Sequence, residues 1–334
     1  MTKPSFEISR RKLLQSTAAV AALPAASLLA APALAQAYPT QDVHFICGFA
    51  AGSGADIIVR YFSEKMRPLF NRAVIVENRP GAIGNIATEY VARSKPDGHT
   101  IYVTGANSVA ANMHLFKNPT VDAAKQLQIV ATINNATMML GVRADAPWKD
   151  AKELTAAMKK KGDKVSYGYT NPTGRVLGAF YKKAAGLDAT EIGYKTAADF
   201  FNDLGSGNLD YVMIDNVAAM ANQRAGRLKI LGVGASTRMQ SVPDLPTLTE
   251  QGYPMDVRSW WAALVPAATP RPIVDQLNKW FSQVVASPET KKFLADVAAS
   301  DPWVSTPDEG QAYFIKDIER WREYVKLANI EPQG

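Results

Sequence analysis

A chain of 334 residues, with 37 Lys and Arg against 31 Asp and Glu, is long enough for two ordinary domains and carries a formal net charge of +6. One cysteine, Cys47, excludes an intramolecular disulfide, and three histidines without an H-x-x-x-H spacing argue against a zinc site. The basic excess is too balanced for a nucleic-acid face.

The first element is an address. Ser9-Arg10-Arg11-Lys12-Leu13-Leu14 precedes an Ala/Leu-rich run from Ala18 to Ala31, and Ala33-Leu34-Ala35 supplies an A-x-A cleavage site. The paired arginines point to the twin-arginine route, so residues 1–35 are expected to be a signal peptide, cut after Ala35 or Ala37. A membrane anchor needs about 20 strongly apolar residues, whereas this run is mostly alanine and is broken by Pro24 and Pro32. Without residues 1–35 the chain keeps 33 basic and 30 acidic residues. A periplasmic location is expected.

Val43 to Cys47 then reads as a strand, ending in the small-residue loop Gly48 to Ala55. Asp56 opens an amphipathic helix with Ile57, Ile58, Tyr61, Phe62 and Met66 on one face. Val74 to Val76 is a second strand, followed by a glycine-rich turn from Asn78 to Asn85 and a helix through Arg93. Pro96-Asp97-Gly98 is a turn, because proline presets one φ and glycine tolerates a positive one. Ile101 to Thr104 is a third strand. The same grammar resumes from Met138, with strands at Val165 to Tyr169, Tyr211 to Ile214 and Lys229 to Val233, each set among helices. Beyond Trp260 the chain turns helical, with a capping box at Thr306 to Glu309 ahead of Phe314, Ile318, Trp321 and Val325. Alternating strands and helices imply parallel βαβ units, hence an α/β fold.

Ligands of such folds sit beyond the carboxyl ends of the strands. Four of those ends carry small polar residues ahead of a helix: Gly52-Ser53-Gly54, Thr104 to Ser108, Tyr169 to Gly174, and Asp215-Asn216. Backbone donors and the helix dipole favour an anion there, although tight turns and helix caps use the same residues.

Taken together these segments resemble the Bug family, the periplasmic substrate-binding components of tripartite tricarboxylate transporters. Phe49 to Asp56 resembles its first-loop motif, and Glu77-Asn78-Arg79-Pro80-Gly81-Ala82-Ile83-Gly84-Asn85 its most recognisable signature. Pro96-Asp97-Gly98, Tyr194-Lys195, Asn208 to Asn216, Pro243 to Thr247, Ser259-Trp260 and Pro266 to Pro270 follow in family order. The resemblance implies a two-lobe periplasmic binding fold of type II, each lobe a mainly parallel sheet flanked by helices, with a C-terminal helical tail. The lobes would comprise 38–142 with 259–334, and 143–258. It further implies a monomer without cofactor that holds a small carboxylate and hands it to the membrane subunits of a transporter.

Carried over residue by residue, the ligand would meet Phe49, Ala50, Ala51, Gly52, Ser53, Gly54, Thr104, Gly105 and Asn107. From the second lobe it would meet Thr170, Asn171, Thr173, Gly174 and Asp215. The sequence departs from the family in two places. Ser53 stands where a second glycine is usual, and the second-lobe loop is shorter, with Arg175 in place of a histidine. Arg175 is expected either to grip a second carboxylate bidentately or to be a solvent-facing arginine or an interlobe ion pair. Tyr169 and Trp261 are candidates for an aromatic wall, Trp260 for the core, and Asp215 for either an ammonium contact or a helix cap. Glu77-Asn78-Arg79 reads as structural.

An enzyme fits the sequence less well. Ala50 occupies the first glycine position of a G-x-S-x-G elbow, and Gly52-Ser53-Gly54 lacks the later glycine of a dinucleotide fingerprint. Presenting a ligand to a receptor kinase is the other alternative, and the ligand itself is open among di- and tricarboxylates, aromatic acids and acidic amino acids.

Overall fold

The computed structural model describes residues 38–333, so the expected signal peptide lies outside the described residues. Among the described residues, eleven strands form two sheets. In chain order the elements are β1 (Val43–Cys47), α1 (Gly54–Phe70), β2 (Val74–Asn78), α2 (Asn85–Ala92), β3 (Thr100–Gly105), β4 (Leu127–Thr137) and β5 (Met139–Arg143). They continue with α3 (Ala151–Lys161), β6 (Val165–Tyr169), α4 (Pro172–Ala185), β7 (Ala189–Gly193), α5 (Ala197–Ser206), β8 (Tyr211–Ile214), α6 (Asn216–Arg224) and β9 (Leu228–Val233). The last are β10 (Arg258–Pro266), α7 (Arg271–Ala286), α8 (Pro288–Asp296), β11 (Asp301–Pro302) and α9 (Pro307–Leu327).

The first sheet has the order β11-β4-β10-β3-β1-β2 and the second β7-β6-β8-β5-β9. Within them β1, β2 and β3 run parallel, as do β6, β7 and β8. The antiparallel pairings belong to the strands that carry the chain between sheets. The expectation of parallel sheets therefore holds for the βαβ halves, and reversal enters only where a strand must return. β4 ends in the first sheet at Thr137 and β5 begins in the second at Met139, while β10 brings the chain back at Arg258. The two crossings lie side by side, with Arg258 opposite Thr137 and the Thr137 hydroxyl donating to the Val257 carbonyl at 3.0 Å.

A third link reaches between the sheets beside them. Asp301 of β11 accepts from the backbone amides of Gln240 and Ser241 at 3.1 and 2.8 Å. Close by, the Asn216 side chain donates to the Ala298 carbonyl.

The first-sheet core is aromatic. Phe45 stacks on Phe281 at 5.8 Å, and Trp260 is buried with its Nε1 donating to buried Asp317 at 2.8 Å. Burying that indole without an acceptor would cost roughly 1–3 kcal/mol, so Asp317 is what lets α9 bring a tryptophan partner into the core. Phe314, Ile318, Trp321 and Val325 face inward as their spacing predicts. In α1 the buried stripe is Ile58, Val59, Phe62 and Met66, and Ile57 is instead exposed.

Candidate functional site

Strand register places the candidate loops before any side chain is considered. Gly105, the last residue of β3, pairs with Trp261, which also pairs with Asn134 near the end of β4. Ile214, the last residue of β8, pairs with Met139, the first of β5. Both sets of parallel strands thus end toward the same crossing, one from each sheet. The loops after β1, β3, β6 and β8 therefore leave their sheets on the side of that crossing.

The loops after β1, β6 and β8 each lead into a helix with a capped start, whereas the helical turn at Asn107–Ala111 after β3 has no side-chain cap. Ser53 caps α1 by accepting the Asp56 amide at 3.3 Å. Asn171 caps α4 by accepting the Gly174 amide at 3.0 Å, and Asp215 caps α6 by accepting the Ala218 amide at 2.9 Å. A capped helix start holds its remaining first-turn N–H groups outward, where they attract an anion. The helices begin at Gly54 and Pro172, slightly earlier than the sequence predicts, because these caps extend them.

The first and second lobes touch at the ends of α1 and α6. A Cβ placed on Gly54 would lie 3.0 Å from Asp215 Oδ1 and 3.0 Å from Val217 Cβ. A side chain at position 54 would press on both groups, so glycine suits the close approach of the two helix ends. Gly105 meets the edge of Trp261, where a Cβ would lie 3.4 Å from the indole and 3.1 Å from Asn107 Oδ1. Trp261 is half-buried beside that loop, whereas Trp260 is in the core, as the sequence suggests. Thr104, Gly105, Asn107, Thr173 and Gly174 are buried; Phe49, Ser53, Gly54, Tyr169, Thr170 and Asn171 are half-buried; Ala50, Ala51 and Gly52 are exposed.

The first loop is braced from behind. Asn78 Nδ2 donates to the Phe49 carbonyl at 3.0 Å and to Asp56 Oδ1 at 2.8 Å. Asp56 Oδ2 accepts from the Gly52 amide and from Arg60 Nε, both at 2.8 Å. Burial alone would raise the Asp56 carboxyl, but Arg60, the Gly52 amide and Asn78 outweigh it and hold it below the usual carboxylate range. The Gly52 amide is therefore committed to Asp56. Sequence reasoning missed Asp56, Arg60 and Val217, since which residues lie behind a loop depends on register between distant strands.

Asp215 differs in its surroundings. Its carboxyl is raised by burial, tempered by the amides of Ala218, its own residue and Val217. Of the two expected roles, the cap is the one the geometry displays.

Arg175 is engaged within its own lobe. Its Nε and Nη2 reach Glu191 Oε2 and Oε1 on edge strand β7 at 3.1 and 3.3 Å, with Tyr169 beneath at 6.0 Å. The expected interlobe pair is not the one formed: Arg175 pairs with Glu191 inside its own lobe, because β7 lies beside the start of α4. Cys47, at the end of β1, has its thiol pushed up to about 11 by burial, which keeps it protonated near neutral pH.

A separate groove of about 730 Å³ runs along α2, lined by His44, Arg79, Tyr90 and Arg93. None of the four loops reaches it.

Two α/β lobes, two adjacent crossings and opposed helix starts across the cleft define a solute-binding protein of the two-lobe periplasmic type. The family described as the tripartite tricarboxylate transporter family receptor matches residues 58–330, and the chain belongs to it. Solved structures agree. Rpa4515 of R. palustris with adipate has a TM-score of 0.83 at 25% identity, covering 89% of this chain and 100% of that one. The periplasmic binding protein BugD follows at 0.79 and 30% identity, with coverage of 89% and 100%. MatC from Rhodopseudomonas palustris with bound malate gives 0.75 at 26% identity, covering 86% and 100%.

Proposed function

We propose that the chain is exported to the periplasm by the twin-arginine route and captures a small di- or tricarboxylate between its lobes. It then delivers that acid, as a monomer without catalytic activity of its own, to the membrane subunits of a tripartite tricarboxylate transporter. The observation that carries this reading is the meeting of the α1 and α6 starts at Gly54 and Asp215. Helix N-termini from both lobes then serve one anion, and only a closed cleft brings them together. Adipate in Rpa4515 and malate in MatC are both dicarboxylates, and they support that class here.

The contacts would come from Phe49 to Gly54, Thr104, Gly105 and Asn107 on one side, and from Thr170, Asn171, Thr173, Gly174 and Asp215 on the other. Tyr169 and Trp261 would form the walls, with room for a flat acid between them. Arg175, held by Glu191, would stiffen the second-lobe loop rather than grip the acid. The hinge would lie at the two crossings, 137–139 and 257–258, giving a second lobe of 139–257.

The test is a thermal-shift screen of refolded, ligand-stripped protein against mono-, di- and tricarboxylates. An acid at about 100 times its Kd adds roughly 2.7 kcal/mol, or several degrees. A shift confined to one subclass identifies the ligand class. Folded protein that shifts with none of the acids overturns the reading.

A further inference from the structure

The signature segment after β2 holds the candidate ligand loop in place. Register sets Asn78 opposite Cys47, the residue at which β1 gives way to the loop. From there one side-chain amide reaches both ends of it: the Phe49 carbonyl before and the Asp56 carboxylate after, at 3.0 and 2.8 Å. Asp56 in turn holds the loop's centre through the Gly52 amide at 2.8 Å, where φ is +78°. Arg60 closes the circuit, donating from Nε to Asp56 at 2.8 Å and from Nη2 to Asn78 Oδ1 at 3.1 Å.

Such a circuit acts in two ways. It removes conformers that a loop of small residues would otherwise sample, so less ordering entropy is lost when an anion binds. It also controls charge. Asp56 places a carboxylate directly behind a loop that must receive another carboxylate, and the Arg60 guanidinium cancels that repulsion. Asn78 is neutral, which lets it approach Asp56 without adding a second anion.

We propose that Asn78 is a positioning residue for carboxylate binding, acting through Asp56 and Arg60 on the loop from Phe49 to Gly54. The proposal rests on the carboxylate site argued above, and its test is designed to fail separately from it. Adipate and malate are titrated calorimetrically into wild type, Asn78→Leu, Asn78→Asp, Arg60→Met and Tyr61→Phe, and amide hydrogen exchange is followed across 49–56 without ligand. Tyr61→Phe is the matched control, because it removes a hydrogen bond from the same helix, Tyr61 to Thr290 at 3.0 Å, away from the loop.

Asn78→Leu and Asn78→Asp are expected to weaken binding by roughly tenfold or more and to speed loop exchange, since each leaves buried acceptors without a donor. Arg60→Met is expected to weaken it by about threefold at low salt, with the loss shrinking as salt rises. Tyr61→Phe should change neither readout. Asn78 variants that bind within twofold of wild type, or whose exchange matches Tyr61→Phe, overturn the proposal. If neither Asn78 variant folds, an Arg60→Met protein with unchanged low-salt affinity overturns it, and a salt-dependent loss supports it. Faster loop exchange in Asn78 variants of a wild type that binds neither acid keeps the positioning role and sinks the dicarboxylate site.

Discussion

Arg175 shows how far a single residue can be read. Its place after a loop of small residues suggested a grip on a distal carboxylate, a solvent-facing side chain or an interlobe ion pair, and composition could not find the intralobe partner, because Glu191 lies on β7 while Arg175 lies on α4. Partly exposed pairs of this kind contribute at most about 1 kcal/mol. Arg175→Ala should accordingly lower stability in urea titrations by no more than that and leave dicarboxylate affinity within about threefold of wild type. A tenfold loss in calorimetry would put the guanidinium on the acid after all. Asp56 makes the opposite lesson, since nothing in its local sequence announces that it braces the loop. With its folded-state carboxyl held below the ordinary range, it contributes stability that is present above the unfolded value near 4 and is lost as pH falls through the folded one. Melting temperatures followed through that acid window should drop for wild type. The drop should be shallower for Asp56→Asn, which begins from a lower value at neutral pH.

Helices were legible because their signals are local. Thr306 and Glu309 form the expected capping box, and Thr196 caps α5, accepting the Asp199 amide. The strands that join the sheets carried no such signal. β4 is buried along nearly all of its eleven residues, so it shows no alternation, and β10 pairs with it across more than a hundred residues of intervening chain. Tertiary pairing, not propensity, makes them strands. The caps also permit a test of whether a helix start does more than end a helix. Thr306→Ala and Asn171→Ala should each cost about 1 kcal/mol in denaturant melts. Only the second, at the cleft, should also weaken dicarboxylate binding; equal affinities in the two variants would make Asn171 a cap and nothing more.

The two-lobe plan could be read from the recurrence of one strand–helix grammar in two halves and from the family resemblance, but the place where the lobes meet could not. It depends on Gly54, whose missing side chain lets α1 approach Asp215 and Val217. Gly54→Val should therefore hold the lobes apart, cutting dicarboxylate affinity by roughly tenfold or more while free-protein stability changes little. In small-angle scattering, wild type is expected to contract when adipate is added and the variant to keep its dimensions; contraction of both would place closure elsewhere. The link from Asp301 to the amides of Gln240 and Ser241 shapes that motion further. It lies on β11, next to β4, which is next to β10, so the joint is a strip three strands wide, on the order of 10 Å at usual strand spacing. A strip yields to bending but resists torsion, as a piano hinge does and a ball joint does not. The jaws can then part along one arc only, and an acid leaving the cleft loses both helix ends in the same movement.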